Sequence, residues 1–387
     1  MAFLKSVSLS GFKSIEQMDL DLRPFNVLIG ANGAGKSNLI SFFKLVYEMR
    51  QGRLQNFVRD WGADALLFYG AKTTQRLDAH LLFEDEDTGF VTYRVRLYPT
   101  PRDSLVYEEE GVDLRPRETV TAKTSIGQAT FGCGAARSAL ESDLAPSIEI
   151  WRRDPSDGAQ VAVRAGEMIV DSIKKWGVYH FHDTSATAKI RKRGYIHDNQ
   201  KLHSDGANLA AFLRGIQVGH PAYYPRILET IRLIAPWFGD FVLEPLKENE
   251  NDVLLNWRDG YSDRVFGPHQ LPDGTLRAVA LIALLLQPEK QLPSLVVVDE
   301  PELGLHPYAL NAIVGLLKGA SHHCQVLVAT QSASFVDQCD PEDVIVVERE
   351  EGKSAFRRLD AEPLQQWLEE YSLGELWQKN VFGGGPF

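Results

Sequence analysis

The chain has 387 residues, of which 44% are apolar and 24% charged, and its formal net charge is −11. These fractions are ordinary for a globular protein, and the acidic balance argues against wholesale coating of nucleic acid. The longest apolar run, Ala278 to Leu286, has about half the length of a membrane-spanning helix, so we expect no membrane protein. Three widely spaced cysteines and an N-terminus without a secretory pattern favour a cytoplasmic protein.

The chain opens with three predicted strands. The first is Leu4 to Leu9, with a turn expected at Gly11, and the second is Met18 to Leu22. The third, Phe25 to Ile29, is apolar and short, as a buried strand would be. A helical pattern from Asn38 to Tyr47 comes next, after a glycine-rich loop.

That loop, Gly30 to Ser37, reads G-x-x-x-x-G-K-S, the motif of a phosphate-binding P-loop. A strand before it and a helix after it form the context in which this motif binds phosphate, whereas a simple glycine-rich turn needs neither. The glycines let backbone N–H groups point at an anion, and the helix adds the positive end of its dipole. Lys36 is expected to reach the β- and γ-phosphates, and Ser37 to ligate Mg²⁺. The predicted nucleotide-binding residues of this segment are Asn32, Gly33, Ala34, Gly35, Lys36, Ser37 and Asn38.

The middle of the chain changes character twice. Residues 77 to 163 read mainly as β-structure, with clear alternation at 77–83 and 91–97 and a loop or weak strand at 113–138. Residues 206 to 238 read as helical. Between them lies the basic cluster Lys189 to Arg193, which either grips a phosphate backbone or forms a solvated loop. His180 to Asp183 lacks the spacing of a metal site.

A second apolar strand, Leu295 to Val298, ends in Asp299 and Glu300. Four apolar residues in a row suit a strand that is buried on both faces of a parallel sheet. Ligands bind at the carboxyl ends of such strands. This strand end resembles the acidic Walker B element of P-loop ATPases. That resemblance implies that Asp299 holds the Mg²⁺ shell and that Glu300 orients and polarises the attacking water; the alternative is an acidic surface turn. Further on, residues 362–379 have helical periodicity, and 383–386 read as a flexible tail.

The order of these motifs resembles that of ABC-type ATPases of the SMC and RecF group, most closely the compact RecF-like ATPases without a coiled-coil arm. Leu9 to Ile15 is similar to their opening strand and turn, where a basic residue, here Lys13, lies near the nucleotide. Leu271 to Arg277 resembles the signature segment, and Pro301 to Pro307 resembles the D-loop. Leu327 to Ser332 takes the place of the switch strand.

The resemblance implies an α/β fold, namely a P-loop ABC-type ATPase head with a mixed sheet, interrupted by a β-rich and helical insert. It implies ATP and Mg²⁺ as ligands. It also implies a homodimer in which Asp273, Gly274 and Thr275 of one copy face the nucleotide of the other. The expected divisions are an N-terminal ATPase lobe (1–75), a β-rich part of the lobe or insert (76–175), a mainly helical insert (176–265), a C-terminal ATPase lobe (266–360) and a C-terminal helix and tail (361–387).

Two positions depart from the family pattern. Pro272 stands where relatives have a serine that donates to the γ-phosphate held by the opposite subunit, and proline has no such donor. Gln331 stands in place of the switch histidine. A glutamine amide can hydrogen-bond phosphate and water but carries no proton charge. Glu300 and Gln331 remain the predicted catalytic residues, and slow hydrolysis is expected.

The function implied by the resemblance is that of an ATP-dependent dimer that acts on DNA or controls a partner effector. A nuclease or toxin would be such an effector, in DNA repair or anti-phage defence. The alternative is a slow-turnover nucleotide sensor that regulates a protein partner without DNA. A small-molecule kinase would not need the signature segment. An ABC transporter subunit is a poorer fit because of the β-rich insert and the start at Ser10 to Lys13.

Overall fold

The computed structural model describes residues 3–85, 89–115, 127–131 and 157–385. Strands and helices both occur throughout these ranges, which confirms the α/β prediction. The strands are β1 Phe3–Phe12, β2 Ile15–Asp21, β3 Phe25–Ile29, β4 Leu77–Asp85, β5 Gly89–Pro99, β6 Leu105–Arg115, β7 Gly127–Phe131, β8 Trp176–Tyr179, β9 Gly194–Tyr195, β10 Phe238–Val242, β11 Asp252–Val253, β12 Asn256–Asp259, β13 Val265–Phe266, β14 Leu295–Asp299, β15 Gln325–Ala329, β16 Val344–Glu350 and β17 Lys353–Arg358.

The α-helices of the described residues lie between residues 36 and 66 and from residue 157 onward. They are α1 Lys36–Arg50, α2 Leu54–Trp61, α3 Ala63–Leu66, α4 Asp157–Lys174, α5 Leu209–Gly219, α6 Tyr224–Ile234, α7 Asp273–Leu285, α8 Pro307–Ala320, α9 Ala333–Val336, α10 Gln365–Leu368 and α11 Leu373–Gln378. Short 3₁₀ turns occupy Lys189–Arg191, Pro268–Gln270, Glu289–Gln291, Pro341–Asp343 and Glu362–Leu364. No helix of the described residues is long and apolar enough to cross a membrane.

The chain forms two compact units. Unit 1 comprises Met1–Trp176, Pro341–Gln365 and Lys379–Phe387, and unit 2 comprises Gly177–Asp340 and Gln366–Gln378. The five divisions expected from the sequence remain a prediction.

Unit 1 contains an antiparallel sheet in the order β2-β1-β4-β5-β6-β7. Side chains of β4 and β5 alternate between buried and more exposed positions, as their sequence pattern predicts. In the same unit β3 pairs in parallel with β16, and β16 pairs antiparallel with β17. All five residues of β3 are buried, so the P-loop begins at the end of a core strand.

A row of aromatic rings fixes α1 against the strands of unit 1. Phe42 contacts Phe12 and Phe43 edge to face, each at 5.9 Å between ring centroids. Phe43 contacts Trp176 at 5.6 Å, and Trp176 stacks on Phe83 of β4. Large buried aromatic side chains dominate core energetics. The helix that follows the P-loop is therefore held rigidly.

Unit 2 has parallel strands at its centre. β14 pairs with β15 from Leu295↔Gln325 to Asp299↔Ala329, and every residue of the two strands except Asp299 is buried. Helix α7 is buried along most of its length and contacts α6 and α8. A helix that is apolar nearly all round belongs in a core. Two small antiparallel sheets, β10-β12-β13 and β11-β9, complete the unit.

The structure corrects several local predictions. β1 continues through Gly11, and the turn lies at Lys13 and Ser14. Gly11 is needed because a Cβ there would lie 2.3 Å from the Arg76 carbonyl oxygen. The mainly β reading of 77–163 was wrong at its end, where α4 begins.

Other local predictions meet mixed outcomes. Of the loop or weak strand expected at 113–138, residues 113–115 and 127–131 are strand, and the remainder lies outside the described residues. The C-terminal helix is broken between α10 and α11. The expected flexible tail instead contacts β16, since the Gly384 N–H donates to Glu348.

Candidate nucleotide site

The P-loop in unit 1 follows a path that side chains would block. Gly35 has φ +125°, and a Cβ there would lie 2.1 Å from the Ser354 hydroxyl oxygen. A Cβ at Gly30 would lie 2.2 Å from the Val347 carbonyl oxygen. β16 and β17 therefore press against the loop so closely that only glycine fits at these two positions.

Lys36 lies inside this loop, with 6% of its surface exposed. Its ammonium donates to the carbonyl oxygens of Gly30 at 2.5 Å and Ala31 at 3.1 Å. Ser37, the second residue of α1, is exposed. Asn32 and Gly33, within the loop itself, are also exposed. The loop thus combines the buried ammonium of Lys36, the exposed residue Ser37 with its hydroxyl, and a helix N-terminus, and this combination suits a phosphate.

A chain of hydrogen bonds ties the P-loop to its neighbours in unit 1. Asn38 donates to the Ser14 hydroxyl at 2.6 Å, and the hydroxyls of Ser14 and Ser354 lie 2.6 Å apart. Ser354 donates to the Ala34 carbonyl oxygen at 2.5 Å. Because each hydroxyl can donate once, the direction of this chain is fixed from Asn38 to Ala34.

Lys13 lies in the β1–β2 turn with φ +49°, an uncommon conformation for a non-glycine residue. Its ammonium donates to Ser41 at 2.8 Å and lies 3.9 Å from the centre of the Trp61 ring. Burial, together with the nearby charge of Lys44, lowers the pKa of Lys13 to about 8. Trp61 is thus a neighbour of Lys13 that the sequence pattern did not identify.

A cleft of about 420 Å³ opens beside the P-loop helix within unit 1. Three aromatic side chains and two cationic ones are among its lining residues. One of the aromatic residues, Tyr69, has φ +52°, and this backbone conformation is strained for a bulky residue. Strained residues of this kind cluster at ligand sites. The lining includes Lys13, Ser14, Asn38, Trp61, Phe68, Tyr69 and Arg349.

In unit 2, the end of β14 carries the predicted carboxylates. Glu300 has φ +45°, and its N–H donates to the Ala329 carbonyl oxygen at 2.8 Å. The Gln331 amide donates to the Glu300 carboxylate at 2.6 Å. The structure therefore brings the two predicted catalytic residues together. His182 contacts the Asp299 carbonyl oxygen at 3.0 Å through its Nε2 atom.

Glu302 is a third acidic residue at this place, and the sequence analysis gave it no role. Its Oε1 atom accepts from the Thr330 hydroxyl at 2.6 Å and from the Gln331 N–H at 3.0 Å. Burial raises the pKa of Glu302, although both of these hydrogen bonds oppose the shift. The resemblance to the D-loop includes Glu302 but does not indicate these contacts, because its partners are about 30 positions away along the chain.

The signature segment forms the first turn of α7. Pro272 caps the helix, so Asp273, Gly274 and Thr275 are its first three residues and their N–H groups have no helical partner. A Cβ at Gly274 would lie 2.1 Å from the Gly304 carbonyl oxygen. The signature segment and the D-loop are thus in direct backbone contact within unit 2.

Two arginines hold this segment, a role that the sequence analysis did not predict for either. Arg191, only 4% exposed, donates to Thr184, Pro268 and Leu271 carbonyl oxygens and to the Asp273 carboxylate. Arg191 is therefore unavailable to bind a phosphate backbone, which was one interpretation of its basic cluster. The guanidinium of Arg277 donates to the carbonyl oxygens of Phe181, His182 and Leu303.

Ser37 and Asp299 are the predicted ligands of Mg²⁺, and this stays a prediction. In unit 1 the Ser37 residue is exposed, and a hydroxyl oxygen suits a hard cation that also keeps waters and substrate oxygens. In unit 2 Asp299 is half-buried at the end of β14, and a carboxylate suits the same kind of cation. Within the described residues, no group of three or more His, Cys, Asp or Glu side chains could hold a metal ion.

His306 of the D-loop serves as the N-cap of α8.

Known proteins resemble this chain in both sequence and fold. Residues 220–337 match the family "AAA domain, putative AbiEii toxin, Type IV TA system", and residues 2–91 match "Protein of unknown function (DUF2813)". The DNA replication and repair protein RecF of Renibacterium salmoninarum is 37% identical over 250 residues, 54% of this chain and 63% of RecF. Urease accessory protein 2 of Cryptococcus neoformans var. grubii is 28% identical over 142 residues, 35% of this chain and 11% of that protein. The chain thus spans less than two thirds of these relatives.

The fold has solved counterparts among Smc heads. The crystal structure of the SmcHead bound to the C-winged helix domain of ScpA has a TM-score of 0.60 at 17% identity, covering 94% of this chain and 99% of that one. At this identity the likeness establishes the fold, which is that of an Smc head. The RecF match and the motifs support the resemblance of this chain to RecF/SMC-like ABC-type ATPases.

Proposed function

We propose that this protein binds MgATP at its P-loop and hydrolyses it slowly, and that ATP holds two copies together. The observation that carries the proposal is the loop from Gly30 to Ser37. It presents a buried ammonium and backbone N–H groups at the N-terminus of a 15-residue helix. A phosphate chain would replace the Gly30 and Ala31 carbonyls as the partner of Lys36.

Each predicted residue has a task in this proposal. The Ser37 hydroxyl of unit 1 would be a ligand of Mg²⁺, which when bound neutralises charge on the phosphate oxygens. The Asp299 carboxylate of unit 2 keeps its predicted role as a further Mg²⁺ ligand. Glu300 would accept the proton of the attacking water. Gln331, which hydrogen-bonds Glu300, would orient that carboxylate and the water.

The cleft beside α1 suits the nucleoside part of ATP. Trp61 and Tyr69 are exposed aromatic rings, 51% and 61% accessible, and a base can stack on such rings whatever its identity. Lys13 and Arg349 supply positive charge for the ribose-phosphate end. We therefore expect ATP and GTP to bind with similar affinity.

A two-copy sandwich is supported by the surface around the signature segment. Pro272 and Asp273 are exposed, and so are the D-loop residue Leu303 and the nearby Tyr308, 40% and 61% accessible. The N–H groups of the first α7 turn have no partner within the helix, so they would help to neutralise the γ-phosphate held by a second copy.

The biological role that we favour is control of a partner effector, with DNA as the other candidate ligand. The name of one matching family refers to a toxin of a TA system, and one similar Smc head is bound to a domain of ScpA. The RecF relative is a DNA replication and repair protein, which supports DNA. The net charge of −11 and the buried Arg191 favour the protein partner. Hydrolysis measured with and without duplex and single-stranded DNA separates the two.

Pro272 and the Gln331–Glu300 hydrogen bond favour the sensor alternative over a fast motor. Pro272 lacks the hydroxyl that would donate to the γ-phosphate of the opposite copy. The Gln331 amide, which cannot take up a proton, occupies the Glu300 carboxylate with a hydrogen bond. A protein of this kind would spend most of its time in one nucleotide-bound state.

Calorimetric titration with MgATP tests the binding step. Lys36→Ala should weaken binding by about 10- to 100-fold, since a charge-assisted hydrogen bond contributes about 1.5–3 kcal/mol. The control is Lys72→Ala, because Lys72 is an exposed lysine of the same unit. Equal affinity of Lys36→Ala and the parent would contradict the proposed function.

A further inference from the structure

Glu302 is an acidic loop residue whose carboxylate is buried against the end of β15. It lies two residues after Glu300, in the D-loop, yet its Oε1 atom accepts two hydrogen bonds from the end of β15. Its Oε2 atom is buried and has no hydrogen-bond partner among the described residues. A half-satisfied carboxyl group is costly to bury. A carboxyl group buried at this cost fits a role beyond stabilising the fold.

The two hydrogen bonds fix the backbone that carries Gln331. One donor is the Gln331 N–H itself, and the other is the hydroxyl of the fully buried Thr330. The Thr330 hydroxyl in turn accepts from the Ser332 N–H at 3.0 Å. Because the Gln331 amide donates to Glu300, the path from Glu300 through Gln331 to Glu302 closes a ring.

The same short segment also holds the signature helix. The carbonyl oxygen of Leu303, the next residue after Glu302, accepts from Arg277 of α7 at 3.0 Å. Gly304 then lies so close to Gly274 that no side chain fits between them. Glu302 thus stands between the hydrolysis residues on one side and the signature helix on the other, all within unit 2.

We propose that Glu302 is a positioning residue that holds the Gln331 amide on Glu300 and keeps both in register with the signature helix. This inference rests on the proposed function, since it assumes that Glu300 activates water. Glu302 acts through its acceptor oxygen and not through its charge. A misplacement of about 1 Å at such a site can cost about 10²-fold in rate.

The test compares Glu302→Ala with Glu302→Gln in the full chain. Glutamine keeps an acceptor oxygen where Oε1 lies, and alanine removes it. Single-turnover hydrolysis should fall by about 10- to 100-fold in Glu302→Ala, while ATP affinity stays within about 3-fold of the parent. Glu302→Gln should recover most of the rate. Thr330→Val, which removes one donor at nearly constant shape, should give a smaller loss and provides the result if Glu302→Ala does not fold.

Three outcomes would overturn the inference. They are a parent-like rate in Glu302→Ala, an equal loss in Glu302→Gln and Glu302→Ala, and a loss of ATP affinity that matches the loss of rate. A parent protein that does not hydrolyse ATP, or whose rate is unchanged by Glu300→Gln, would instead refute the proposed function. The two failures are therefore distinguishable.

Discussion

At the scale of single residues, two strained non-glycine positions fall where the sequence predicted chemistry. Lys13 and Glu300 both adopt positive φ, at +49° and +45°, although neither is glycine. Such conformations cost about 1–3 kcal/mol and persist only where neighbours hold them. Lys13 is held by Ser41 and Trp61, and Glu300 by Ala329 and Gln331. We infer that this strain serves ligand binding and catalysis.

The lowered pKa of Lys13, about 8, predicts a pH dependence of ATP binding. An anionic ligand favours the charged ammonium, so bound ATP should raise this pKa again. Affinity should therefore be constant below pH 8 and fall as the pH rises above it. Lys13→Met should bind more weakly and lose this dependence, whereas Lys5→Met, at an exposed site, should keep it. Parallel pH profiles for the parent and Lys13→Met would contradict a contact between Lys13 and ATP.

The same shift predicts how folding stability changes with pH. Because the folded-state pKa of Lys13 lies below the ordinary value of 10.5, the unfolded chain binds more protons between about pH 8 and 10.5. The contribution of Lys13 to the unfolding free energy should therefore rise with pH across this window. In urea unfolding, the unfolding free energy of the parent minus that of Lys13→Met should rise over that range. A value that falls or stays constant would contradict the buried ammonium.

The two departures from the family pattern predict faster variants. Pro272→Ser restores a hydroxyl donor at the N-cap of α7, a position that favours serine. Gln331→His replaces an amide that cannot carry a proton by an imidazole that can. Each change should speed single-turnover hydrolysis and leave ATP affinity nearly unchanged. If both single variants and the double variant hydrolyse ATP no faster than the parent, the departures do not set the rate.

At the scale of elements, the sequence was informative wherever a pattern is local. The P-loop with its strand and helix, the alternating strands β4 and β5, and the buried strand β14 could all be located. The position of Gly11 was misread because its constraint comes from Arg76, which is distant along the chain. The roles of Arg191 and Glu302 could not be predicted either. A run of basic residues or an acidic loop does not indicate which of its side chains will be buried against a segment that is distant along the chain.

The contact between the P-loop and β17 makes a prediction for two glycines that look alike in sequence. Both Gly33 and Gly35 have positive φ, but only Gly35 has a neighbour, Ser354, within reach of an added Cβ. Gly33→Ala should lower the unfolding free energy by about 1–2 kcal/mol through backbone strain alone. Gly35→Ala should cost more and should also weaken ATP binding. Thermal unfolding of the two variants checks this, and equal shifts would contradict the close contact.

At the scale of the whole molecule, the chain provides one P-loop and one signature segment. A nucleotide neutralised from both sides therefore needs two copies with isologous contacts. The structure also decides how to disturb the signature segment. A side chain at Gly274 would collide with Gly304 and damage the fold. Pro272, which is exposed at the N-cap of α7, is the better position.

Light scattering of Glu300→Gln tests the central claim most directly, because this variant should bind ATP without hydrolysing it. With MgATP its mass should approach twice the 43.3 kDa of one chain, and without nucleotide it should return to a single chain. Adding Pro272→Asp should keep it monomeric by placing a carboxylate against the opposite γ-phosphate, while adding Pro272→Ser should not. The same mass with and without ATP in all three proteins would contradict a dimer held together by nucleotide.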